Sequence, residues 1–331
     1  MTLSVPASTG LAPRLPAIAA TVTVVLWASA FVAIRALADV FSPGAMAFLR
    51  LFAAVIVLTV IVVAVRLRDH RPIVDRLPRG GTIGLVAGYG VAWFAGYTVL
   101  LNWAERHLDA GTSALLVNVA PLLVAIFAGL FLGDGFPRPL VVGMAIGFAG
   151  VAVIAVAGGG GDGGGGLDAD WLGVGLGLAA AVLYATGVLL QKFALTGVDA
   201  LTATWLGALA GLVATLPFAP QAIAELADAD GGALVAVFYL GIGPTAIAFT
   251  TWAYALARTR ASAMAATTLV VPAIVVLLSW LLLGELPTIA GVIGGVLCLG
   301  GVVVARGLLP MPVRRPAAAR IVERVHVRPG G

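Results

Sequence analysis

The chain has 331 residues, of which 61% are hydrophobic and only 10% charged, and its mean hydropathy is +1.10. A soluble domain carries roughly 25% charged residues, so this composition excludes an ordinary soluble enzyme or binding module. The formal net charge of +4 and pI of 9.7 do not call for nucleic acid, because the basic residues pile up on one side of a membrane.

Residues 1–14 form a short, mixed N-terminus with one charge, Arg14. The apolar run at about 15–37 is longer than a signal-peptide core, and nine more runs follow it, so it reads as an uncleaved first helix. Further runs of spanning length fall at about 44–66, 82–104, 110–132 and 137–157. Residues 158–166 are eight glycines around Asp162, a flexible linker without packing capacity. Five runs follow, at about 171–193, 200–219, 233–256, 262–283 and 287–308. The expected fold class is therefore an all-α integral membrane protein with ten transmembrane helices. Its expected parts are an N-terminus (1–14), a first five-helix repeat (15–157), a glycine-rich linker (158–170), a second five-helix repeat (171–308) and a basic tail (309–331). The tail carries five arginines among prolines and alanines and is expected to rest loosely on anionic lipid.

The repeat is written into the sequence. Shifting Ala110–Val153 by 151 residues lands on Ala261–Val304, with Pro121 on Pro272, Gly133-Asp134 on Gly284-Glu285, and Gly143 and Gly150 on Gly294 and Gly301. Apolar identities match easily by chance. A proline, a Gly-acid pair and two glycines in one ungapped register do not. With the N-terminus in the cytoplasm, sixteen of the nineteen basic residues lie on the inner side, which sets the orientation and places the C-terminus inside as well. Five helices per repeat is an odd number, so the second repeat enters from the opposite side. Transporters are commonly built from such inverted pairs, with the substrate near the midplane.

Several side chains stand out against this apolar background. Tyr89, Trp93 and Tyr97 recur every four residues in the third span, as a stripe that suits either a cavity wall or lipid-facing packing. Trp27 and Ser29 lie mid-span, with Tyr184 and Thr186 at the matching places of the second half. They fit a cavity lining, or, for the hydroxyls, bonds to their own helix. Arg50 is about six residues into the second span, roughly 9 Å along it. An intramembrane arginine costs at least ~2.5–3.5 kcal/mol, so it either binds a substrate carboxylate or phosphate or snorkels to the interface. Arg35 and Lys192, nearer span ends, suit interfacial anchors. Asp134 and Glu285 follow a glycine at a helix junction, where a carboxylate caps the next helix; proton coupling is the other role open to them. Pro121 and Pro272 each remove a backbone bond, producing a hinge or a static bend. Gly143-xxx-Gly147, Gly173-xxx-Gly177 and Gly291-xxx-Gly295 allow close helix contact within the protomer or across a homodimer.

These residues resemble the EamA family of the drug/metabolite transporter superfamily. Leu26-Trp27-Ala28-Ser29-Ala30-Phe31, then Arg35, Pro43 and Arg50, are similar to the family's opening pattern. Pro121 with Gly133-Asp134, and Pro272 with Gly284-Glu285, resemble its proline-bearing helix ending in Gly-Glu, with Asp134 departing from the usual Glu. The second half opens more weakly: Tyr184-Ala185-Thr186-Gly187 stands for Trp27-Ala28-Ser29-Ala30, Lys192 for Arg35 and Gly207 for Arg50, so any site is asymmetric. The resemblance implies ten helices, cytoplasmic termini, a central cavity, and export of amino acids, metabolites or drugs; the Ala, Gly and Arg bias of the composition points to a bacterial inner membrane.

Other classes fit less well. An intramembrane enzyme needs a nucleophile–base pair or metal ligands inside the spans. The spans hold no His, and the single cysteine, Cys298, has no partner for a disulfide. No cofactor or metal is expected. A channel would show charged rings or filter loops, and none is visible. A cationic-drug:proton antiporter needs a buried carboxylate, and no Asp or Glu lies mid-span. The expected partners are the lipid bilayer and a neutral, zwitterionic or anionic small-molecule substrate.

Overall fold

In a computed structural model, residues 15–70, 78–131, 136–157, 171–284 and 289–305 are described, and within them all regular structure is helical. The N-terminus, the glycine linker, the basic tail, Asp134 and Glu285 lie outside these residues. The helices are α1 Leu15–Leu37, α2 Pro43–Arg68, α3 Gly81–Ala104, α4 Ala110–Val117, α5 Ala120–Phe131, α6 Arg138–Ala157, α7 Trp171–Ala194, α8 Ala200–Asp228, α9 Gly231–Arg258, α10 Ala261–Leu283 and α11 Ile289–Ala305. Seven of them, α1–α3 and α7–α10, are long and apolar enough to cross a membrane. The fourth expected span is divided into α4 and α5, and the seventh continues past its expected end to Asp228.

Proline chemistry explains the division. Pro121 and Pro272 sit at the second position of α5 and of the Val271–Leu283 segment. There the missing N–H would have had no helical partner anyway. The preceding turn changes in both halves: it unwinds at Asn118–Val119 and tightens to a 3₁₀ turn at Thr268–Val270. Pro121 therefore divides its span, and Pro272 lies in one that continues through it. Each altered turn brings a polar residue, Asn118 or Thr268, to the bundle interior.

The repeat extends further than the proline hairpin. α3 widens into a π-helix over Gly90–Tyr97, and α9 does so over Gly241–Ile247, starting 151 residues later. A widened turn allows close backbone approach from a neighbour, and π-turns gather at functional sites. Gly90 lies against the backbone of Gly207 in α8, and Gly241 against that of Arg50 in α2, so neither position has room for a Cβ. Gly207 is the counterpart of Arg50, so these two contacts are copies of each other.

Helix packing follows the same exchange. α1 packs on α9 and α10, as α7 packs on α3 and on α4 and α5. α2 packs on α8, and α6 on α11, each pair being its own counterpart. Polar contacts join the halves: Thr23 of α1 meets Thr251 of α9 at 2.8 Å, Trp205 Nε1 donates to Thr59 at 2.9 Å, and Arg66 donates to Thr202 at 2.9 Å beside Asp199 at 3.6 Å. The described small-residue stripes pack within the protomer. Gly301 fits against the Gly143–Gly147 backbone, and Gly173 and Gly177 fit against Leu108 and Leu116.

Candidate functional site

Where α1, α3, α7 and α9 converge, the sequence supplies rings from all four. Trp27 is the hub. Its centroid lies 5.8 Å from Trp93, 6.0 Å from Tyr184, 5.2 Å from Phe249 and 4.9 Å from Trp252. Its Nε1 donates to the Pro244 carbonyl at 3.2 Å, an acceptor in the widened turn of α9. The indole is thus held by the opposite half of the molecule, and its edge-on neighbours suit aromatic packing. Next to this cluster is a partly open cavity. Trp27, Trp93, Tyr97, Tyr184 and Phe249 form its aromatic wall, Arg50 its charge, and Asn118, Pro121 and Thr268 the edge made by the two altered turns.

Arg50 is only 4% exposed. Its Nε donates to Thr245 Oγ1 at 3.0 Å, and that hydroxyl in turn donates to the Leu240 carbonyl at 2.7 Å across the π-turn. A threonine hydroxyl has one proton, so giving it to Leu240 leaves the oxygen as acceptor for the arginine. The guanidinium is therefore oriented by a fixed acceptor on α9 and is buried in the bundle. The Glu105 carboxylate and the Tyr97 phenol both act on it electrostatically.

The structure brings together five of the expected site residues, Trp27, Arg50, Trp93, Tyr97 and Tyr184, on one cavity. Three others lie elsewhere. Ser29 donates to the Leu26 carbonyl of its own helix and lies within hydrogen-bond distance of Tyr239. Thr186 is exposed and bonds back to Val182 at 2.9 Å. Tyr89 is buried, but its ring fills the space over Gly207 and its hydroxyl donates to the Ala203 carbonyl. An arginine in one half and a tyrosine-on-glycine packing in the other thus occupy counterpart places. Arg35 and Lys192 each bind carbonyls at the end of a neighbouring helix. Arg35 donates to the Glu105 carbonyl at 3.0 Å, and Lys192 to the Leu256 carbonyl at 2.8 Å, 151 residues further on.

Sequence reading missed four features. Phe249 and Trp252 complete the aromatic cluster, yet their counterparts Thr98 and Leu101 gave no repeat signal. Asn118 was visible as a lone amide in an apolar run, three residues before the repeated proline. Glu105 lies just past the end of α3 and looked like part of a polar loop with Arg106 and His107. It is fully buried. It lies past the end of α3 and not mid-span, so an acid reaches the bundle interior from a helix end. Its counterpart, Leu256, is a buried core residue, as its own position also is. Arg50 and Glu105 are thus two charges of opposite sign present in the first half where the second has Gly207 and Leu256.

An aromatic wall with one oriented guanidinium can bind a small organic anion or zwitterion, with the carboxylate on the planar fork and the rest of the molecule on the rings. The described residues contain no group of three or more potential metal ligands.

Comparison with known proteins agrees with this architecture. The chain matches the model of the EamA-like transporter family twice, over residues 14–156 and 171–307. It is 34% identical over 284 residues to a probable terminal-alkyne amino-acid exporter of Streptantibioticus cattleyicolor, covering 86% of this chain and 91% of that protein. It is 30% identical over 277 residues to the uncharacterized transporter YdfC of Bacillus subtilis, covering 84% and 86% respectively. A crystal structure that is 21% identical superposes with a TM-score of 0.65, covering 88% of this chain and 96% of that one, and shows the fold alone. Family and relatives point to a transporter and not to an enzyme. The chain is a multi-pass membrane protein and belongs to the EamA-like transporter family.

Proposed function

We propose that this protein is a secondary transporter that exports small amino-acid-type metabolites from a bacterial cytoplasm by alternating access. The observation that carries the reading is the buried, oriented Arg50 on an aromatic cavity between the two halves. The related probable exporter of a terminal-alkyne amino acid supports the substrate class. In this reading the halves 15–157 and 171–308 are inverted five-span repeats, and the reciprocal helix contacts support that relation. One rocking motion exchanges the two packings and turns the cavity from one face to the other. Both termini lie in the cytoplasm, as the basic-residue asymmetry requires.

The test is exchange in proteoliposomes. Purified protein should exchange radiolabelled α-amino acids with apolar side chains, and a panel of organic cations should not compete. Preference for the cations, with no amino-acid exchange, would overturn the reading in favour of a cationic-drug antiporter. Orientation is checked separately: a cysteine placed in 158–166 should react with impermeant maleimide in intact cells. Reaction only after the membrane is broken would reverse the topology.

A further inference from the structure

A second, narrow cavity lies between α5, α6 and α10 and shares Asn118 and Pro121 with the first. Apart from Asn118 and Ser262 its walls are apolar, with Leu140 and Met144 from α6 and Ala266 and Leu269 from α10. Gly147 also lines it. That residue is buried, yet a Cβ there would meet no heavy atom within 4 Å, which leaves open space at this point of the wall.

Asn118 stands where the cavities join and is 7% exposed. Its Nδ2 donates to the Ala114 carbonyl at 2.8 Å. A carbonyl only accepts, so this bond fixes which end of the amide is nitrogen and turns Oδ1 the other way. Oδ1 is buried and finds no hydrogen-bond partner among the described residues. The same holds for Trp93 Nε1 on the wall of the first cavity. A buried acceptor without a donor costs free energy unless something supplies one. The counterpart of Asn118 in the other half is Leu269, so the fold does not need an amide at this place.

We propose that Asn118 Oδ1 accepts the α-ammonium group of the substrate and that the cavity between α5, α6 and α10 holds the substrate's unbranched apolar side chain. The proposal rests on the amino-acid-type reading above, in which Arg50 takes the carboxylate. Trp93 Nε1, buried without a partner on the wall of the first cavity, offers a further donor there. Three recognition elements then differ in chemistry: a cationic fork, a neutral acceptor and an apolar sleeve. The site selects α-amino acids with a chain of several carbons over alanine and over the corresponding acid without its amine.

The test measures competition in proteoliposomes made with the full-length protein, using norleucine, alanine and hexanoate as probes. Ala266→Phe fills the sleeve and should lower the norleucine-to-alanine preference by about tenfold or more, the effect of losing a few buried methylenes. Gly147→Val should act in the same direction, and serves if the phenylalanine variant does not accumulate. Asn118→Leu should lower the norleucine-to-hexanoate preference by about tenfold, since only norleucine loses a partner. Preferences unchanged in all three variants overturn the proposal. So does an equal fall for all probes in Ala266→Phe and Gly147→Val, because the second cavity would then be a common passage and not a side-chain site. Wild-type protein that exchanges neither norleucine nor alanine instead overturns the transport reading itself, and this proposal falls with it.

Discussion

Arg50→Met should reduce exchange of carboxylate-bearing substrates by roughly 30-fold to a few thousand-fold, the equivalent of about 2–5 kcal/mol for losing one partner of a buried charged contact. The size follows from the position of Arg50. The group is buried, its Nε is fixed by Thr245, and it is the charge on the wall of an otherwise aromatic and apolar cavity. Arg50→Lys keeps the charge but loses both the planar fork and the Nε bond to Thr245, so it should fall between the two. Exchange rates and substrate binding measured on protein that elutes as a single species from size exclusion check this. A methionine variant that exchanges amino acids at the wild-type rate would remove Arg50 from the site.

Glu105→Leu should be destabilising, by about 1–3 kcal/mol, because it removes a fully buried acid whose charge acts on the Arg50 guanidinium. Arg50→Gly in the same protein should recover part of that loss, since no guanidinium is then left buried. The measurement is a double-mutant cycle on thermal unfolding in detergent, where the single variant melts several degrees lower. Recovery of stability should come without recovery of exchange. Additive losses in the double variant would show that the two charges do not compensate each other.

How far the sequence was legible depends on the kind of signal. Span positions follow from hydropathy alone, because lipid leaves helical segments little alternative to being apolar over twenty residues. Trp27, Arg50 and Tyr184 stood out because a polar or aromatic group in mid-span needs a reason, and they line one cavity. The Tyr89–Trp93–Tyr97 stripe was followed only in part. It extrapolates the α-helical period through Gly90–Tyr97, and that segment is wound as a π-helix, so Tyr89 faces α8 while the other two face the cavity. The prolines were recognised as weak points, but whether a proline bends a helix or ends it depends on the unwound turn before it. Glu105 was illegible for a different reason. A carboxylate beside Arg106 and His107 has the local composition of a loop, and only the packing of other helices over the end of α3 buries it.

The Trp27–Pro244 bond joins residues 217 positions apart, and Arg50 waits for Thr245 across 195. At about 5–20 residues per second, a ribosome needs roughly 10–40 s to make the chain between Trp27 and Pro244. During that interval the first helices are in the bilayer with an indole and a guanidinium whose final acceptors have not been translated. Assembly of the central bundle is therefore a late event in biosynthesis. The nascent N-terminal half must be sheltered by lipid, translocon or its own transient contacts until α9 enters the membrane.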